Sequence, residues 1–206
     1  MRGRDVSDPG VPTANLAAPG ADLRFAIPKY KIWRDGLPER EASSAEDVWD
    51  EAGDLVTFLL GCSFSWESVL SEAGLVPRQM EQGCNVPMYK TTIPNTPSGP
   101  FGGELVVSMR PYPLAALAQL QSITGKYPGA HGAPVHWGCP EDIGVLDIAT
   151  PDYGEPVEIR DGEVPVFWAC GVTPQSALEG ARLPLAVTHS PGYMMICDLL
   201  EEELLV

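Results

Sequence analysis

Apolar and polar positions follow short periodic patterns along this chain, which is typical of short strands and helices. Alternation over Asp22–Trp33 predicts a strand, and Pro28 would confine it to a sheet edge or a bulge. Strands alternating with helices indicate an α/β or mixed α+β fold. Further strands are predicted at residues 76–80, 86–93, 104–109, 156–159, 164–169, 185–188 and 194–197, and short helices at 45–50 and 114–123.

Two segments of the chain, Phe58–Leu75 and Val166–Leu183, align without a gap at a constant offset of 108 residues. Each pattern predicts an apolar strand, a tight Gly/Cys turn and a helix opened by a hydroxyl N-cap, Ser65 or Thr173, with Pro174 at the first helical position of the second copy. Backbone N–H groups at helix starts attract negative charge. The repeat therefore predicts two similar strand-turn-helix subdomains around a shared cleft for a carboxylate or an oxyanion.

We expect one domain behind a short N-terminal segment. Pro, Gly and Ala dominate residues 1–20 without a hydrophobic period, which predicts a flexible lead-in. Residues 21–206 are predicted to form a single domain, with the halves of the pseudo-repeat at about 55–92 and 163–198. The acidic, amphipathic tail 199–206 predicts a helical turn that packs on the body or on another subunit, so a homo-oligomer is one expected form.

Composition narrows the function classes. The 206 residues include 13 Lys and Arg against 28 Asp and Glu, so the net charge is −15 and a nucleic-acid partner is not expected. Without a bilayer-length apolar run or an apolar signal region, we expect a cytoplasmic protein with no membrane partner. Five cysteines without CxxC spacing indicate reduced thiols, and the histidine spacing predicts no metal site.

Six motifs carry a resemblance to a known family. They are GCSFSWE, NVPMYKT, VVSMRP, HGAPVH, EVPVFWACGVTPQ and THSPGYM, at residues 61–67, 85–91, 106–111, 131–136, 163–175 and 188–194. With these motifs the chain resembles, from about Leu16 to Asp198, the hydro-lyase family that includes D-glutamate cyclase. The resemblance implies a lyase without a metal or organic cofactor. In the named activity, the amine of D-glutamate closes on the side-chain carboxyl and yields 5-oxo-D-proline and water.

The chain departs from this family pattern at four points. Members usually carry an N-terminal portion that is not present here, so a wall of the cleft would be missing or come from another subunit. Where members tend to have Arg, Asn and His, this chain has Cys84, Thr92 and Tyr193. An Arg grips a carboxylate through two hydrogen bonds, and a His carries protons. The departures therefore imply a changed substrate, a different acid or amide within a biosynthetic pathway.

A dehydrating cyclisation needs a base, donors for the oxyanion and an acid that releases water. His189 is the first candidate proton carrier, because it ends a predicted strand before a Ser-Pro-Gly turn. His136 and Cys170 complete the candidate catalytic set, the latter because a helix N-terminus lowers a thiol pKa. Arg110 and Lys90 are the candidate anion-binding residues. The small carboxylate or amino-acid-like substrate would also contact Asn85, Tyr89, Ser63, Ser65, Glu67, Thr173, Gln175 and His131.

Each assignment has a structural alternative. Free cysteines more often behave as small buried apolar residues, and the hydroxyls of Ser65 and Thr173 could simply cap helices. Arg110 and Lys90 could each form an ion pair with one of the many carboxylates. Three tryptophans are expected to pack in the core: Trp66, Trp137 and Trp168.

Two other function classes stay open at this stage. Cys62 and Cys170 occupy matching turns, and two thiols facing one α-carbon would make an amino-acid racemase or epimerase. Sulfur atoms that are far apart or buried in apolar packing would exclude that reaction. A chain that has lost the Arg and His of its family could instead bind an acidic metabolite without turning it over.

Overall fold

The computed structural model describes residues 3–200, 203 and 205. The described residues form nine β-strands in three antiparallel sheets and five α-helices, in agreement with the mixed α/β class that the sequence predicts. The strands are β1 (Gly3–Val6), β2 (Tyr30–Arg34), β3 (Leu37–Ala42), β4 (Phe58–Leu60), β5 (Met88–Pro94), β6 (Glu104–Pro113), β7 (His136–Trp137), β8 (Glu163–Ala169) and β9 (Ala186–His189). The α-helices are α1 (Glu46–Ala52), α2 (Glu67–Glu72), α3 (Arg78–Gln82), α4 (Leu117–Thr124) and α5 (Thr173–Ala181).

A four-stranded sheet, in the order β5-β6-β8-β7, lies at the centre of the fold. Its longest strand is β6, and most of that strand is buried because both faces of the sheet are covered. Side chains alternate between the faces of a sheet. Val106, Ser108 and Arg110 therefore lie on one face, and Val107 and Met109 lie on the other.

Each face of the central sheet packs a different apolar cluster. On the face that carries Arg110, α2 and α4 contribute to a cluster of Trp66, Leu70, Tyr112, Leu120, Tyr127, Ala130, Val166 and Trp168. On the opposite face the cluster consists of Tyr89, Val107, Met109, Ile143, Val145 and Phe167. The two indoles Trp66 and Trp168 are fully buried, as predicted, whereas Trp137 is 40% exposed and the expectation that it packs in the core is wrong.

Two smaller sheets lie outside the central one. The sheet in the order β3-β2-β9 packs against α1 through Tyr30, Ile32, Ala45 and Val48. In the other, β1 pairs with β4. The Asp5 carboxylate also accepts a hydrogen bond from the Leu16 N–H at 3.0 Å, and the flexibility of residues 1–20 stays a prediction. These contacts are made by backbone and carboxylate groups, which leave no hydrophobic period in the sequence.

Most predicted elements are confirmed at slightly shifted bounds, namely α1, α4, β5, β6, β8 and β9. Residues 76–80 were predicted as a strand, and that prediction is wrong. Pro77 precedes α3, and Gly83 ends this helix in the left-handed conformation with φ of +65°. The short helix was missed because one turn of helix has too few positions to show a period. The predicted turn at 199–206 lies largely outside the described residues.

Three other predicted strands, at residues 22–33, 156–159 and 194–197, are shorter than predicted or do not form. The predicted strand at 22–33 begins only at Tyr30, because the Arg24 N–H bonds the Asp22 carboxylate at 2.9 Å and closes a turn. Within the described chain, residues 156–159 and 194–197 belong to no strand. In the first segment Val157 and Ile159 pack against the core without pairing, whereas Ile196 in the second segment is 95% exposed.

The strand β6 extends beyond residue 109, where its predicted range ends. Arg110 and Pro111 continue the pairing with β8, opposite Val166 and Pro165. Because the two prolines lie opposite each other, both missing N–H groups fall at the same rung of the ladder. The strand is therefore longer than predicted, and this extension is what carries the Arg110 side chain into the interior.

The two repeat segments share their turns and helices, but their strands differ. β4 pairs with β1 in the two-stranded sheet, whereas β8 lies inside the central sheet. Neither hydroxyl caps a helix: Ser65 lies in a 3₁₀ turn before α2, and the Thr173 hydroxyl donates to the Cys170 carbonyl oxygen at 2.8 Å. Pro174 is the second residue of α5, one position later than predicted.

Within residues 3–200, no helix combines the length and apolar content needed to cross a bilayer.

Gly61 allows the turn of the first repeat to dock against the loop that follows α4. A Cβ at Gly61 would lie only 1.9 Å from the Gly129 carbonyl oxygen, so the two backbones touch directly. Beside this contact, the indole Nε1 of Trp66 donates to the Ala130 carbonyl oxygen at 2.8 Å. Since the clash would be with backbone, no side-chain rotation could relieve it.

We expect Gly61→Ala to destabilise the fold by about 3 kcal/mol or more, because the backbone contact with Gly129 must open. Chemical denaturation of the purified variant measures this loss. Gly102→Ala is the matched control, since no atom lies within 4 Å of its Cβ position. Equal unfolding midpoints for the two variants would contradict the docking role of Gly61.

Candidate active site

Arg110 places a guanidinium group in the interior, beside two indole rings that contact each other. Its side chain is 0% exposed, and its Cζ lies 4.7 Å from the ring centre of Trp66 and 5.6 Å from that of Trp168. β6 and β8 place Arg110 and Trp168 on one face of the sheet, and the first repeat adds Trp66. A buried cation is tolerated only when its charge is balanced and its N–H donors are used.

Glu67, the first residue of α2, balances this charge. Its Oε1 accepts hydrogen bonds from Arg110 Nε at 2.8 Å, from Arg110 Nη2 and from Gln79 Nε2 at 2.7 Å. Arg110 also donates to the hydroxyls of Ser63 and Ser108, both at 3.1 Å. We call these five residues the Arg110 network. The structure thus brings Arg110, Ser63 and Glu67 together as predicted, but they bond one another, so Arg110 is not a free grip for a substrate carboxylate.

The turns of the two repeats face each other on this side of the sheet. The Gly61 carbonyl oxygen lies 3.9 Å from the position that a Cβ on Gly171 would occupy. Gly61, Cys62 and Gly171 are partly exposed, whereas Cys170 is buried among apolar side chains. The two turns therefore contact each other, and the shared cleft stays a prediction.

Burial raises the pKa of both turn cysteines. It raises the pKa of the Cys62 thiol although the backbone N–H of Phe64 lowers it. It raises the pKa of Cys170 to about 12 although the N–H of Val172 lowers it. Phe64 and Val172 are equivalent positions of the repeat, so both turns place a backbone N–H against the cysteine in the same way. The expected lowering of the Cys170 pKa is wrong, because desolvation outweighs the N–H groups at the start of α5.

His131 completes the arrangement from the loop after α4. Its backbone has φ of +79°, and its Nε2 lies 3.7 Å from the Cβ position of Gly171. Both ring nitrogens are shielded from solvent and have no hydrogen-bond partner among the described residues. Burial, followed by the charge of Arg110, lowers the pKa of His131 to about 4. The imidazole is therefore neutral at neutral pH and offers one donor and one acceptor.

We call the surface formed by Gly61, Gly171 and the ring of His131 the inter-turn surface. All three residues are partly exposed, but both ring nitrogens of His131 are shielded from solvent. The Arg110 network is buried, and its guanidinium is close enough to His131 to affect the pKa of the imidazole. A polar group that enters here would meet a neutral ring with two unused nitrogens.

His189, the first candidate proton carrier, lies in a different part of the fold. It ends β9, and its Nδ1 bonds the Ser190 carbonyl oxygen at 2.7 Å. Burial lowers the pKa of the His189 imidazole. Gln175 donates from Nε2 to the His189 carbonyl oxygen at 2.9 Å, and Thr173 bonds backbone groups of Cys170 and Val106. None of the contacts described for these residues reaches the inter-turn surface.

Lys90 and Asn85 are also engaged elsewhere. The Lys90 ammonium forms an ion pair with Glu179 at 3.1 Å, which is the structural alternative that the sequence left open. The Asn85 backbone N–H donates to the Glu155 carboxylate at 3.0 Å. Lys90 and the Asn85 backbone thus bind carboxylates away from the turns, whereas Val86 and Met88 of the same NVPMYKT motif pack against Cys170 and Val172.

Tyr89 and His136 lie on the face of the central sheet opposite to Arg110. The Tyr89 hydroxyl donates to the Ile148 carbonyl oxygen at 2.6 Å. The His136 ring lies 5.7 Å from that of Phe167, and its Nε2 bonds the Cys139 carbonyl oxygen at 2.7 Å. The expectation that these two residues share a site with Arg110 is wrong, because strand alternation points their side chains away from it.

Four residues of this region were not predicted from the sequence, namely Gln79, Ser108, Gly61 and Gly171. Ser108 could have been found, since it shares the parity of Arg110 in an alternating strand. Gln79 lies on the helix that was predicted as a strand, and no local signal brings it to Glu67. The glycines have no side chain, so only the three-dimensional packing reveals their role.

Comparison with known proteins covers this whole region. The family model described as D-glutamate cyclase matches residues 56–198. The chain belongs to the D-glutamate cyclase family. Three relatives named "Putative hydro-lyase" are 54% identical over 195 residues (Pseudomonas syringae pv. tomato), 53% over 195 residues (Agrobacterium fabrum) and 55% over 186 residues (Paracidovorax citrulli). These alignments cover 95%, 95% and 90% of this chain and 72%, 72% and 69% of the relatives.

Membership of the D-glutamate cyclase family confirms the resemblance seen in the motifs, and the names of the relatives indicate an enzyme of the lyase class. The matched range contains Gly61, His131, Gly171 and the whole Arg110 network. Among residues 3–200, no three His, Cys, Asp or Glu side chains are grouped so that they could hold a metal ion.

We expect Glu67→Gln to destabilise this D-glutamate cyclase family member by about 3–5 kcal/mol, because Arg110 would keep a buried charge without a counter-ion. Glu72→Gln, an exposed change at the end of the same helix, is the control and should leave stability unchanged. Urea denaturation at neutral pH measures both variants. A Glu67→Gln protein as stable as the control would disprove the proposed charge balance.

The lowered pKa of His131 predicts that stability depends on pH. The folded protein keeps this ring neutral down to about pH 4, whereas the unfolded chain binds the proton below about 6.5. The contribution is therefore complete above about pH 6.5 and is lost as the pH falls towards 4, on the order of 3 kcal/mol. His131→Asn, which tolerates the left-handed backbone, should lose less stability than the wild type over this range. Parallel denaturation curves at several pH values give the difference, and identical pH dependence in both proteins would rule out the shift.

Proposed function

We propose that this protein catalyses the dehydrating cyclisation of a small amino dicarboxylate, similar to the conversion of D-glutamate into 5-oxo-D-proline and water. Membership of the D-glutamate cyclase family and the hydro-lyase names of the relatives support this reaction class. The observation that carries the proposal is the inter-turn surface, where a neutral imidazole without a hydrogen-bond partner faces two backbone turns. We further propose that the protein is cytoplasmic and works without a cofactor.

The chemistry of the reaction matches what the inter-turn surface offers. Ring closure removes one proton from the attacking nitrogen and adds one to the departing oxygen. A neutral imidazole can accept a proton at one nitrogen and donate one at the other. His131 therefore takes the role of proton carrier that the sequence assigned to His189. Shielding from bulk water strengthens hydrogen bonds to such a group.

The three substituted family positions lie outside the inter-turn surface. Cys84 is beside Glu155, whose charge contributes to raising the thiol pKa after burial. An Arg at this position would pair with that carboxylate. Thr92 is exposed, and the Tyr193 ring packs 5.4 Å from the Lys29 ammonium. These changes leave the proposed reacting groups in place, so an altered substrate of a biosynthetic pathway would differ in a remote part and not in the reacting carboxyl.

The two-cysteine racemase is not favoured. A racemase of this type needs a thiolate, but Cys170 is packed among Val86, Met88, Val106 and Val172, and burial raises its pKa to about 12. Apolar packing keeps the Cys170 thiol protonated, which argues against this reaction. A member that binds an acidic metabolite without turnover is left as an outcome of the activity test.

The proposed activity is tested by incubating the purified protein with D-glutamate, L-glutamate, their shorter and longer homologues and the matching hydroxy acids. We expect one of the amino dicarboxylates to give a product lighter by one water molecule, detected by mass spectrometry. His131→Asn should slow this turnover by about 100-fold or more, because general acid-base catalysis is removed. His136→Asn, on the opposite face of the sheet, should retain the wild-type rate.

Two outcomes would contradict the proposal. A ligand that raises the melting temperature but yields no product would indicate the non-catalytic binding member. Turnover that survives His131→Asn and is lost in His189→Ala would move the site to β9.

A further inference from the structure

We propose that the inter-turn surface binds the carboxyl group that loses its oxygen, and that it binds this group in the un-ionised form. This inference rests on the proposed function and assigns the reacting end of the substrate to named atoms. The contacts on that end are the imidazole of His131 and the backbone at Gly61 and Gly171, and Gly171 is a specificity-determining position.

The absence of a free charge at the surface supports an un-ionised ligand. The cation of the Arg110 network, the Arg110 guanidinium, is paired with Glu67. One oxygen of this carboxylate accepts two hydrogen bonds from Arg110 and one from Gln79. His131 is neutral, and burial keeps the thiols of Cys62 and Cys170 protonated. A carboxylate ion at this place would lose its hydration without gaining a counter-ion, which is costly. A carboxylic acid would pay a smaller desolvation cost.

The chemistry also requires the un-ionised form. The nitrogen lone pair forms the C–N bond at the carboxyl carbon, and the C–OH bond breaks. The departing hydroxide combines with the proton that the nitrogen loses, so the sum is one amide and one water. A carboxylate ion resists attack because its carbon carries less positive charge. His131 can relay the proton, since its neutral ring has both an acceptor and a donor.

Gly171 carries the positional part of the inference. Its φ is not in the left-handed region, so the backbone does not require glycine. A Cβ would lie 3.7 Å from Nε2 and 3.8 Å from Cε1 of His131 and 3.9 Å from the Gly61 carbonyl oxygen, all ordinary contacts. Neither strain nor a clash therefore explains the glycine. A methyl group at this position would cover the surface on which the reacting carboxyl is proposed to sit.

Gly171→Ala tests this placement, with Gly180→Ala as the matched control. Gly180 lies in α5, and no atom lies within 4 Å of its Cβ position. We expect both variants to keep the wild-type melting temperature, and only Gly171→Ala to lose roughly tenfold or more of kcat/KM, because the reacting group is displaced. Full activity of a folded Gly171→Ala protein would overturn the inference and leave the proposed function intact.

A binding measurement tests the charge state independently of turnover. D-glutamine has the shape of D-glutamate with an uncharged side-chain end. We expect D-glutamine to raise the melting temperature at least as much as D-glutamate does at equal concentration, and Gly171→Ala to abolish both shifts. Stabilisation by D-glutamate alone would mean that the ionised carboxylate is bound and would overturn the inference. No shift with either compound would overturn it as well, whereas shifts without any product from the panel would contradict only the proposed function.

Discussion

The buried ion pair of Arg110 with Glu67 is the interaction on which the rest of this structure depends. It links the central strand β6 to the turn and helix of the first repeat, and the indoles of Trp66 and Trp168 enclose it. A buried guanidinium without its carboxylate is strongly unfavourable, so the two elements can pack in only one relative position. The network thus determines where the first turn lies and, through that turn, the geometry of the inter-turn surface.

The two repeat segments are similar in their turns and differ in the sheets that their strands join. β4 and β8 belong to different sheets, yet the turns after them face each other and keep the same backbone contact to the cysteine. Close approach of Gly61 to Gly129 holds the first turn, while the central sheet holds the second. Contact between the two repeat turns therefore does not require two symmetric halves. It requires two turns whose backbones can approach.

The negative charges of this acidic protein lie mostly away from the proposed site. The net charge is −15, but most carboxylates lie at the surface, and the one buried beside the site is paired with Arg110. The inter-turn surface is consequently neutral in a strongly negative protein. A neutral environment favours uncharged reacting groups. The proposed reaction needs such groups, because the amine must lose a proton and the carboxylate must gain one before the two combine.

The amino-acid sequence by itself determined the family, the mixed α/β class, most strands and helices, and the pairing of the two repeat turns, because these follow from local periodicity and from long motifs. It also gave Arg110, Glu67, Ser63 and His131 as candidate site residues, whose function stays a prediction. Only the tertiary structure decided that Arg110 serves Glu67, that Gln79 and two glycines belong to the same region, and that Tyr89 and His136 lie on the other face. Sheet register and backbone contact set those relations between residues distant in the chain, and a linear pattern carries no record of them.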